Sequence, residues 1–441
     1  MKGKTMLRKN LPVGWLLAAV MLAAPAFGAE AEKAGLDPDA KKAALKAIDD
    51  GVQWLKSCQK EDGTWSLKQY PAITALAARA ILQDPSRPAG RPDPAADKGL
   101  DYVASCARQD GGVYCQVPPE KGGTQANYNT AACLLGLCAA HESRYEPLIK
   151  AARGYLIRTQ HLDKDDFYGG WGYDASRKEP HADMSNTGFA MQALSVTAPS
   201  AKESLSVCEI VANSPKPREQ APNPEEAAKP AEAPTTETPP PEAVPDDPNW
   251  AAATAFLSHC QNLASAAEKD RAVSKRPQDA GGFYYHPHGS MAGGEMDDDG
   301  RQIWHSYGNA TALGLECLLE AHVDRNDPRV AATVNWHRSN YNLEEHPGGM
   351  GKQGLYFFYH TLARALAMYG EEPLKRADKP AADWRRGLIE KIVSLQRTDP
   401  QTGLKYWVND EGRWMENDPV LVTAYSVLAL ETLVAEPAGN K

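Results

Sequence analysis

Apolar and polar positions along the chain alternate between two kinds of helical segment. Segments of the first kind are apolar on one face only, as around Trp54 and Leu55, and this pattern is typical of a helix packed at a surface. Segments of the second kind are apolar around most of their circumference and rich in Ala and Gly, as after Thr187. Such helices belong in an interior. We therefore predict an all-α chain of paired outer and inner helices.

A short motif marks the end of each outer helix: an aromatic and an aliphatic residue, then Gln, then a Gly-rich turn with a second aromatic. The clearest copies are Trp54-Leu55…Gln59…Gly63-Thr64-Trp65, Tyr155-Leu156…Gln160…Gly169-Gly170-Trp171 and Phe256-Leu257…Gln261…Gly281-Gly282-Phe283. Each following helix has a Thr before its small or apolar run, namely Thr74, Thr130, Thr187, Thr311, Thr361 and Thr423. One pair cannot bury its own apolar faces, so the six pairs must stack. No polar capping repeat is present, which favours closure into a ring over residues 43–435.

Two insertions interrupt the repeats. The first, 213–248, holds eleven of the 33 prolines, between Pro215 and Pro248, and is otherwise rich in Glu, Ala and Thr. This composition predicts a disordered or polyproline-like excursion. The second, His286–Arg301, is rich in Gly, His and Asp and is expected to be a mobile loop over one mouth of the ring.

Composition and charge exclude some classes. The 441 residues are 42% hydrophobic, which is too apolar for a disordered chain. A formal net charge of −9 provides no basic surface for nucleic acid.

The N-terminus has the pattern of an export signal. Four basic residues precede the apolar run Leu11–Ala24, and Ala26-Phe27-Gly28 supplies small residues for cleavage. We predict a signal peptide at 1–28 and an exported, periplasmic or extracellular protein with no transmembrane helix in the mature chain. Removal of the segment takes the net charge from −9 to −13. An uncleaved anchor is the alternative.

Eight cysteines follow the predicted signal peptide: Cys58, Cys106, Cys115, Cys133, Cys138, Cys208, Cys260 and Cys317. Export permits disulfide bonds, but the positions of the cysteines do not determine which of them pair. Their spacing is also not that of a zinc ribbon. Buried, unpaired thiols are the alternative.

The repeats resemble those of squalene–hopene-type terpene cyclases and of the β subunits of protein prenyltransferases, over about residues 43–435. The resemblance implies an (α/α)6 toroid with six inner helices around a funnel and six outer helices around them. It also implies that Gln59 with Trp65, and Gln160 with Trp171, tie outer helices to neighbouring turns.

The family's acid motif is incomplete in this chain. Terpene cyclases of this type use Asp-x-Asp-Asp-Thr-Ala, where the middle Asp protonates an alkene. The corresponding segment keeps Asp183 and Thr187 but has Ser185 and Asn186 at the acid positions. Because neither side chain is a strong proton donor, cyclisation by this route is not expected.

The prenyltransferase resemblance raises the question of zinc. Tyr359-His360-Thr361 matches the triplet that holds the histidine ligand, whereas the family's Cys ligand is absent. His360, His305 and a carboxylate such as Asp297 could bind zinc. The alternative is a hydrogen-bonded His360 without a metal. His286 and His288, with the acidic residues 297–299, form a second possible metal cluster.

Polar and aromatic side chains near the start of each inner helix should line the funnel. The predicted pocket residues are Tyr128, Asn129, Ser185, Asn186, Tyr307, Asn309, Tyr359 and Tyr425. Asp183, His360 and Asp418 are the candidate catalytic groups, although Asp183 could simply cap its helix.

The leading hypothesis is a protein that binds a hydrophobic, isoprenoid-like ligand in this funnel, with its chemistry open. One alternative is a non-enzymatic toroid that binds a protein or a glycan. Another is a glycan hydrolase or lyase, which would need two carboxyl groups close together. The sequence does not decide whether the chain is an enzyme.

Overall fold

The computed structural model describes residues 36–88, 91–174, 181–198, 247–264, 272–376 and 379–435. The predicted signal peptide therefore lies outside the described residues, as does the insertion 213–248 apart from its last two residues. Within these ranges the odd-numbered helices are α1 (Pro38–Cys58), α3 (Pro94–Ser105), α5 (Glu146–Arg158), α7 (Trp250–His259), α9 (Pro328–Asn340) and α11 (Trp384–Ser394). The even-numbered helices are α2 (Pro71–Leu82), α4 (Ala126–Ala139), α6 (Met184–Val196), α8 (Gly308–Glu320), α10 (Leu355–Tyr369) and α12 (Pro419–Val434).

The even-numbered helices form a closed ring. Each packs on the next, from α2 through α4, α6, α8 and α10 to α12, and α12 packs back on α2. The odd-numbered helices pack on the outside of this ring; α1, for example, contacts α12 and α11. The predicted all-α (α/α)6 toroid with six inner and six outer helices is confirmed.

Burial follows the two sequence patterns. Every residue of α12 from Val420 to Val434 is buried, whereas α1 buries one face through residues such as Ala44, Ile48 and Leu55. Since an inner helix is covered on both flanks and on its outer side, it needs apolar residues all round.

The repeated Gln, Trp and Thr hold each outer helix to its turn. Gln160 donates from Nε2 to the carbonyl oxygens of Gly169 (2.8 Å) and Asn249 (3.0 Å), which lies at the start of the next outer helix. Trp171 donates from Nε1 to the Leu156 carbonyl at 2.7 Å, and its backbone N–H donates to Thr187 Oγ1 at 3.0 Å. Gln59 and Trp65 make the equivalent bonds. The predicted tying role of these residues is confirmed.

The turn glycine is required by both conformation and space. Gly169 has a φ of +98°, and a Cβ there would lie 1.8 Å from the carbonyl oxygen of Ala252. Any side chain would push α7 away from the turn.

In the described part of the chain, two short hairpins interrupt the helices. Strands β1 (Gly294–Met296) and β2 (Gln302–Trp304) are antiparallel, with Glu295 opposite Ile303. The segment His286–Arg301, predicted as a loop, therefore contains a strand. Strands β3 (Arg397–Thr398) and β4 (Lys405–Tyr406) form the second hairpin. Among the described helices, none is both long enough and apolar enough to cross a membrane.

Candidate functional site

The inner helices begin at one end of the ring, which we call the mouth. Asn129 Oδ1 accepts a hydrogen bond from the Ala72 backbone N–H at 3.1 Å, so α2 and α4 are joined near their first turns. Thr361 Oγ1 donates to Asn309 Oδ1 at 3.0 Å and joins α10 to α8 in the same way. The two bonds lie within the first two turns of α2, α4, α8 and α10 and join these helices in neighbouring pairs.

Five aromatic side chains just inside the mouth form a layer that we call the aromatic floor: Tyr128, Phe189, Phe357, His360 and Tyr425. The ring of Tyr128 meets that of Phe189 edge to face, with centroids 5.0 Å apart. Phe189 stacks with Phe357 at 5.9 Å, and Phe357 contacts Tyr425 at 5.3 Å. These contacts join α4, α6, α10 and α12 through the interior of the ring.

The floor faces the mouth through two half-buried rings, those of Tyr128 and Phe357. Burial raises the pKa of both Tyr128 and Tyr425, so both phenols are neutral. A ligand entering the mouth would meet a largely apolar surface with two hydroxyl groups.

A buried carboxyl group stands at the rim of the mouth. Asp183 caps α6, is fully buried, and accepts hydrogen bonds from the backbone N–H of Asn186 at 2.9 Å and from its Nδ2 at 2.7 Å. Burial raises the pKa of Asp183 in spite of these bonds. Oδ1 of Asn186 is buried and accepts no hydrogen bond from any described residue.

Three tyrosines surround this carboxyl group. Burial is the main cause that raises the pKa of Tyr173, Tyr285 and Tyr307, and the negative charge of Asp183 is the second. The Tyr173 side chain is 36% exposed, whereas Tyr285 and Tyr307 are buried. The rim can therefore offer the neutral hydroxyl group of Tyr173 to a polar part of a ligand, whereas the Asp183 carboxyl group is buried.

His360 lies at the inner edge of the floor. Its ring stacks on Tyr425 with centroids 5.6 Å apart, and its Nδ1 is buried with no hydrogen-bond partner among the described residues. Burial, followed by the nearby guanidinium groups of Arg364 and Arg79, lowers the pKa of His360 well below its usual value. Its imidazole is therefore neutral.

Charged side chains lie deeper in the ring, in a layer that the sequence analysis missed. Arg364 Nε donates to Glu316 Oε1 at 3.0 Å, and its Nη2 lies 3.7 Å from Glu320 Oε1. Glu320 and Glu431 hydrogen-bond to no described residue through either carboxyl oxygen, and burial raises the pKa of both. A charged residue within an otherwise apolar inner helix, such as Arg79, is the signal that could have found this layer.

The predicted catalytic residues Asp183, His360 and Asp418 have separate surroundings. Asp418 caps α12 through the Val420 backbone N–H at 2.9 Å and contacts Ser66 Oγ in the α1–α2 connection. Within the described chain no hydrogen bond or ion pair joins any two of the three. Their catalytic role stays a prediction.

The predicted zinc ligands are not brought together. His305 Nδ1 lies 3.0 Å from Asp279 Oδ2, and Asp297 Oδ2 pairs with Arg301 in the β1–β2 turn at 2.8 Å, whereas His360 is inside the ring. His288 Nε2 pairs instead with Asp166 at 2.8 Å, so the second proposed cluster with residues 297–299 does not form either. No three His, Cys, Asp or Glu side chains of the described ranges are arranged to hold a metal ion.

The predicted pocket residues divide into two groups. Tyr128, Ser185, Asn186, Tyr307 and Tyr425 belong to the mouth or the floor. Asn129 and Asn309 form the bonds between inner helices given above, while Tyr359 donates from its hydroxyl group to the Leu343 carbonyl at 2.6 Å, in the α9–α10 connection.

A separate cavity of about 340 Å³ lies at the β1–β2 hairpin. Its lining residues are Asp166, His259, Ala272, Tyr284, Pro287, Gln302 and Trp304. None of them was a predicted site residue.

Comparison with known proteins gives structural similarity only. No family model matches the chain, and no curated protein matches it. Solved structures with similarity include a type II terpene cyclase, MstE from Scytonema, in a variant bound to geranylgeranyl dihydroxybenzoate (12% identity, TM-score 0.46, covering 90% of this chain and 99% of that one). A second, ligand-free MstE variant has 12% identity and a TM-score of 0.45, covering 90% and 98%. A protein from Actinoplanes has 14% identity and a TM-score of 0.42, covering 88% and 99%. These values are too low to assign a family, and the fold described above rests on the helix contacts of this chain.

Proposed function

We propose that the ring binds a hydrophobic small molecule of the isoprenoid class at its mouth, with the apolar part of the ligand against the aromatic floor. The class of ligand comes from the resemblance of the repeats. The place comes from the floor itself, because aromatic side chains from four inner helices meet there and two of them face the mouth. Concave, mostly aromatic surfaces with a few polar groups are typical ligand sites.

The rim supports a preferred orientation for such a ligand. Asn186 Oδ1 is a buried acceptor without a donor among the described residues, and the Asp183 carboxyl group lies beside it. Leaving a buried polar atom unpaired costs about 1–3 kcal/mol, so a ligand hydroxyl group placed here would be favoured. The proposal assigns binding and no reaction.

Extraction of the natively purified protein, followed by mass spectrometry, tests the proposal. We expect an isoprenoid lipid in the extract, or uptake of added squalene or polyprenol at about one molecule per chain. A clean extract together with no uptake of either lipid would overturn the proposal.

A pair of variants locates the ligand. Phe357→Ala removes a half-buried floor ring, and we expect lipid binding roughly ten- to a hundredfold weaker, as for a lost aromatic contact. Tyr406→Ala is the matched control, because Tyr406 is also half-buried but stacks on Trp54 of α1 at 4.9 Å, outside the ring. Equal binding by both variants would place the ligand elsewhere.

A further inference from the structure

Two cysteine side chains lie against each other at the end of α3. The sulfur atoms of Cys106 and Cys115 are 3.6 Å apart. The turn between them is closed by an antiparallel bridge between Ala107 and Val113 and by a hydrogen bond from the Tyr114 N–H to the Cys106 carbonyl at 3.2 Å. The backbone therefore holds the two thiols together on either side of a short turn.

We propose that Cys106 and Cys115 form a disulfide bond, so that this turn is a site of thiol oxidation. The oxidant is a small-molecule or protein disulfide, for example oxidised glutathione. The two thiols lose two hydrogen atoms in forming one sulfur–sulfur bond, while the disulfide of the oxidant is reduced to two thiols. The sulfur atoms need to approach by less than 2 Å to reach the bond length of about 2.05 Å.

The exposure of the two thiols sets the order of the exchange. Cys115 is half-buried and Cys106 is buried, so Cys115 is the thiol that solvent-borne oxidant reaches. Its thiolate attacks the oxidant and forms a mixed disulfide, releasing the first thiol of the oxidant. Cys106 then attacks the Cys115 sulfur and releases the second.

The chemistry of Cys106 fits the second step. Burial raises the pKa of its thiol to about 11, so little thiolate is present at neutral pH and Cys106 is a poor initial nucleophile. Because Cys106 lies against Cys115, its proximity to the mixed disulfide compensates for the small fraction of thiolate.

The bond would fix a turn that supports the candidate site. The Val113 backbone N–H donates to Thr130 Oγ1 of α4 at 3.0 Å, and α4 also carries Tyr128 of the aromatic floor. A covalent link across residues 106–115 restricts the unfolded chain and so stabilises this turn against opening.

Tryptic mapping without reduction tests the proposal directly. Arg108 lies between the two cysteines, so trypsin places Cys106 on peptide Gly99–Arg108 and Cys115 on peptide Gln109–Lys121. After treatment of the reduced, folded protein with oxidised glutathione, we expect these two peptides as one linked species that separates on reduction. The melting temperature should rise by a few degrees on oxidation.

Two variants complete the test. In Cys115→Ser we expect no linked species and no rise in melting temperature on oxidation. Cys58→Ser, which changes another half-buried cysteine, should keep both. The proposal fails if the oxidised wild type shows no link between these peptides. It fails equally if Cys115 is joined to peptide Gly122–Arg144, which holds the buried Cys133 and the half-buried Cys138.

Discussion

The hydroxyl groups of Tyr128 and Tyr425 lie 3.3 Å apart, although their helices, α4 and α12, are not neighbours in the ring. The bond therefore spans the interior and links two inner helices that are not adjacent in the ring. It also places two neutral hydroxyl groups in the aromatic floor, beside the stacked ring of His360.

Truncation of the Tyr425 side chain should lower the free energy of unfolding mainly through lost packing. We expect Tyr425→Ala to lower the free energy of unfolding by about 3–5 kcal/mol, because it leaves a cavity among Phe357, His360 and Tyr128. Tyr425→Phe keeps the ring and should cost only about 1 kcal/mol for the hydrogen bond. Urea denaturation measures both, and equal losses would mean that the floor is not tightly packed.

The repeated Thr should stabilise the fold through one hydrogen bond in each repeat. Thr187→Val keeps the size of the side chain but leaves the buried N–H of Trp171 without an acceptor, so we expect a loss of about 1–3 kcal/mol. Thr254→Val on outer helix α7 is the control, since the hydroxyl group of Thr254 donates to the Ala251 carbonyl of its own helix in an exposed hydrogen bond. Similar losses in the two variants, measured by denaturation, would contradict the role of the Thr.

Glu416 should make stability depend on pH near neutrality. Its carboxyl group accepts bonds from the Phe357 backbone N–H at 2.8 Å and from Asn409 at 2.6 Å, yet burial raises its pKa from 4.5 to about 7. Between these values the folded chain holds a proton that the unfolded chain has released, so the free energy of unfolding falls as pH rises. We expect this effect to amount to about 3 kcal/mol across the window.

Substitution separates Glu416 from the other acidic groups. Glu416→Gln should lose this part of the pH dependence, although it also loses a hydrogen bond and is less stable at low pH. The exposed Glu390→Gln, next to Arg386 on α11, should retain the slope of the wild type. Denaturation at pH 4.5, 6 and 8 makes the comparison, and a Glu416→Gln slope equal to that of the wild type would refute the assignment.

The architecture could be predicted because it is repeated. A Gln, a Gly turn, an aromatic and a Thr recur in phase, and each makes a local bond within its own pair or to the next, as Gln160 and Thr187 show. Because such bonds join residues within one repeat or the next, they require a recurring motif that can be recognised in a single sequence. The rim residue Asp183 could be found for the same reason, because it caps the helix that follows it.

The contacts that cross the ring could not be predicted. Partners such as Tyr128 and Tyr425 are far apart in sequence, and their pairing depends on how six helices are oriented around a common centre. The prenyltransferase resemblance groups His360 with His305, but His305 lies before α8 and bonds Asp279, while His360 is one turn inside α10. A displacement of one helical turn is enough to separate an interior residue from a rim residue.

Closure of the ring also limits how much of the fold can form while the chain is being synthesised. The first inner helix, α2, has α12 as one of its two neighbours, and the first outer helix, α1, packs on α12 and α11 more than on α2. The apolar flanks of residues 38–82 therefore stay uncovered until residues 384–434 have been synthesised. The earliest part of the toroid depends on the latest, so a chain that lacks its last helix pair lacks the support for its first.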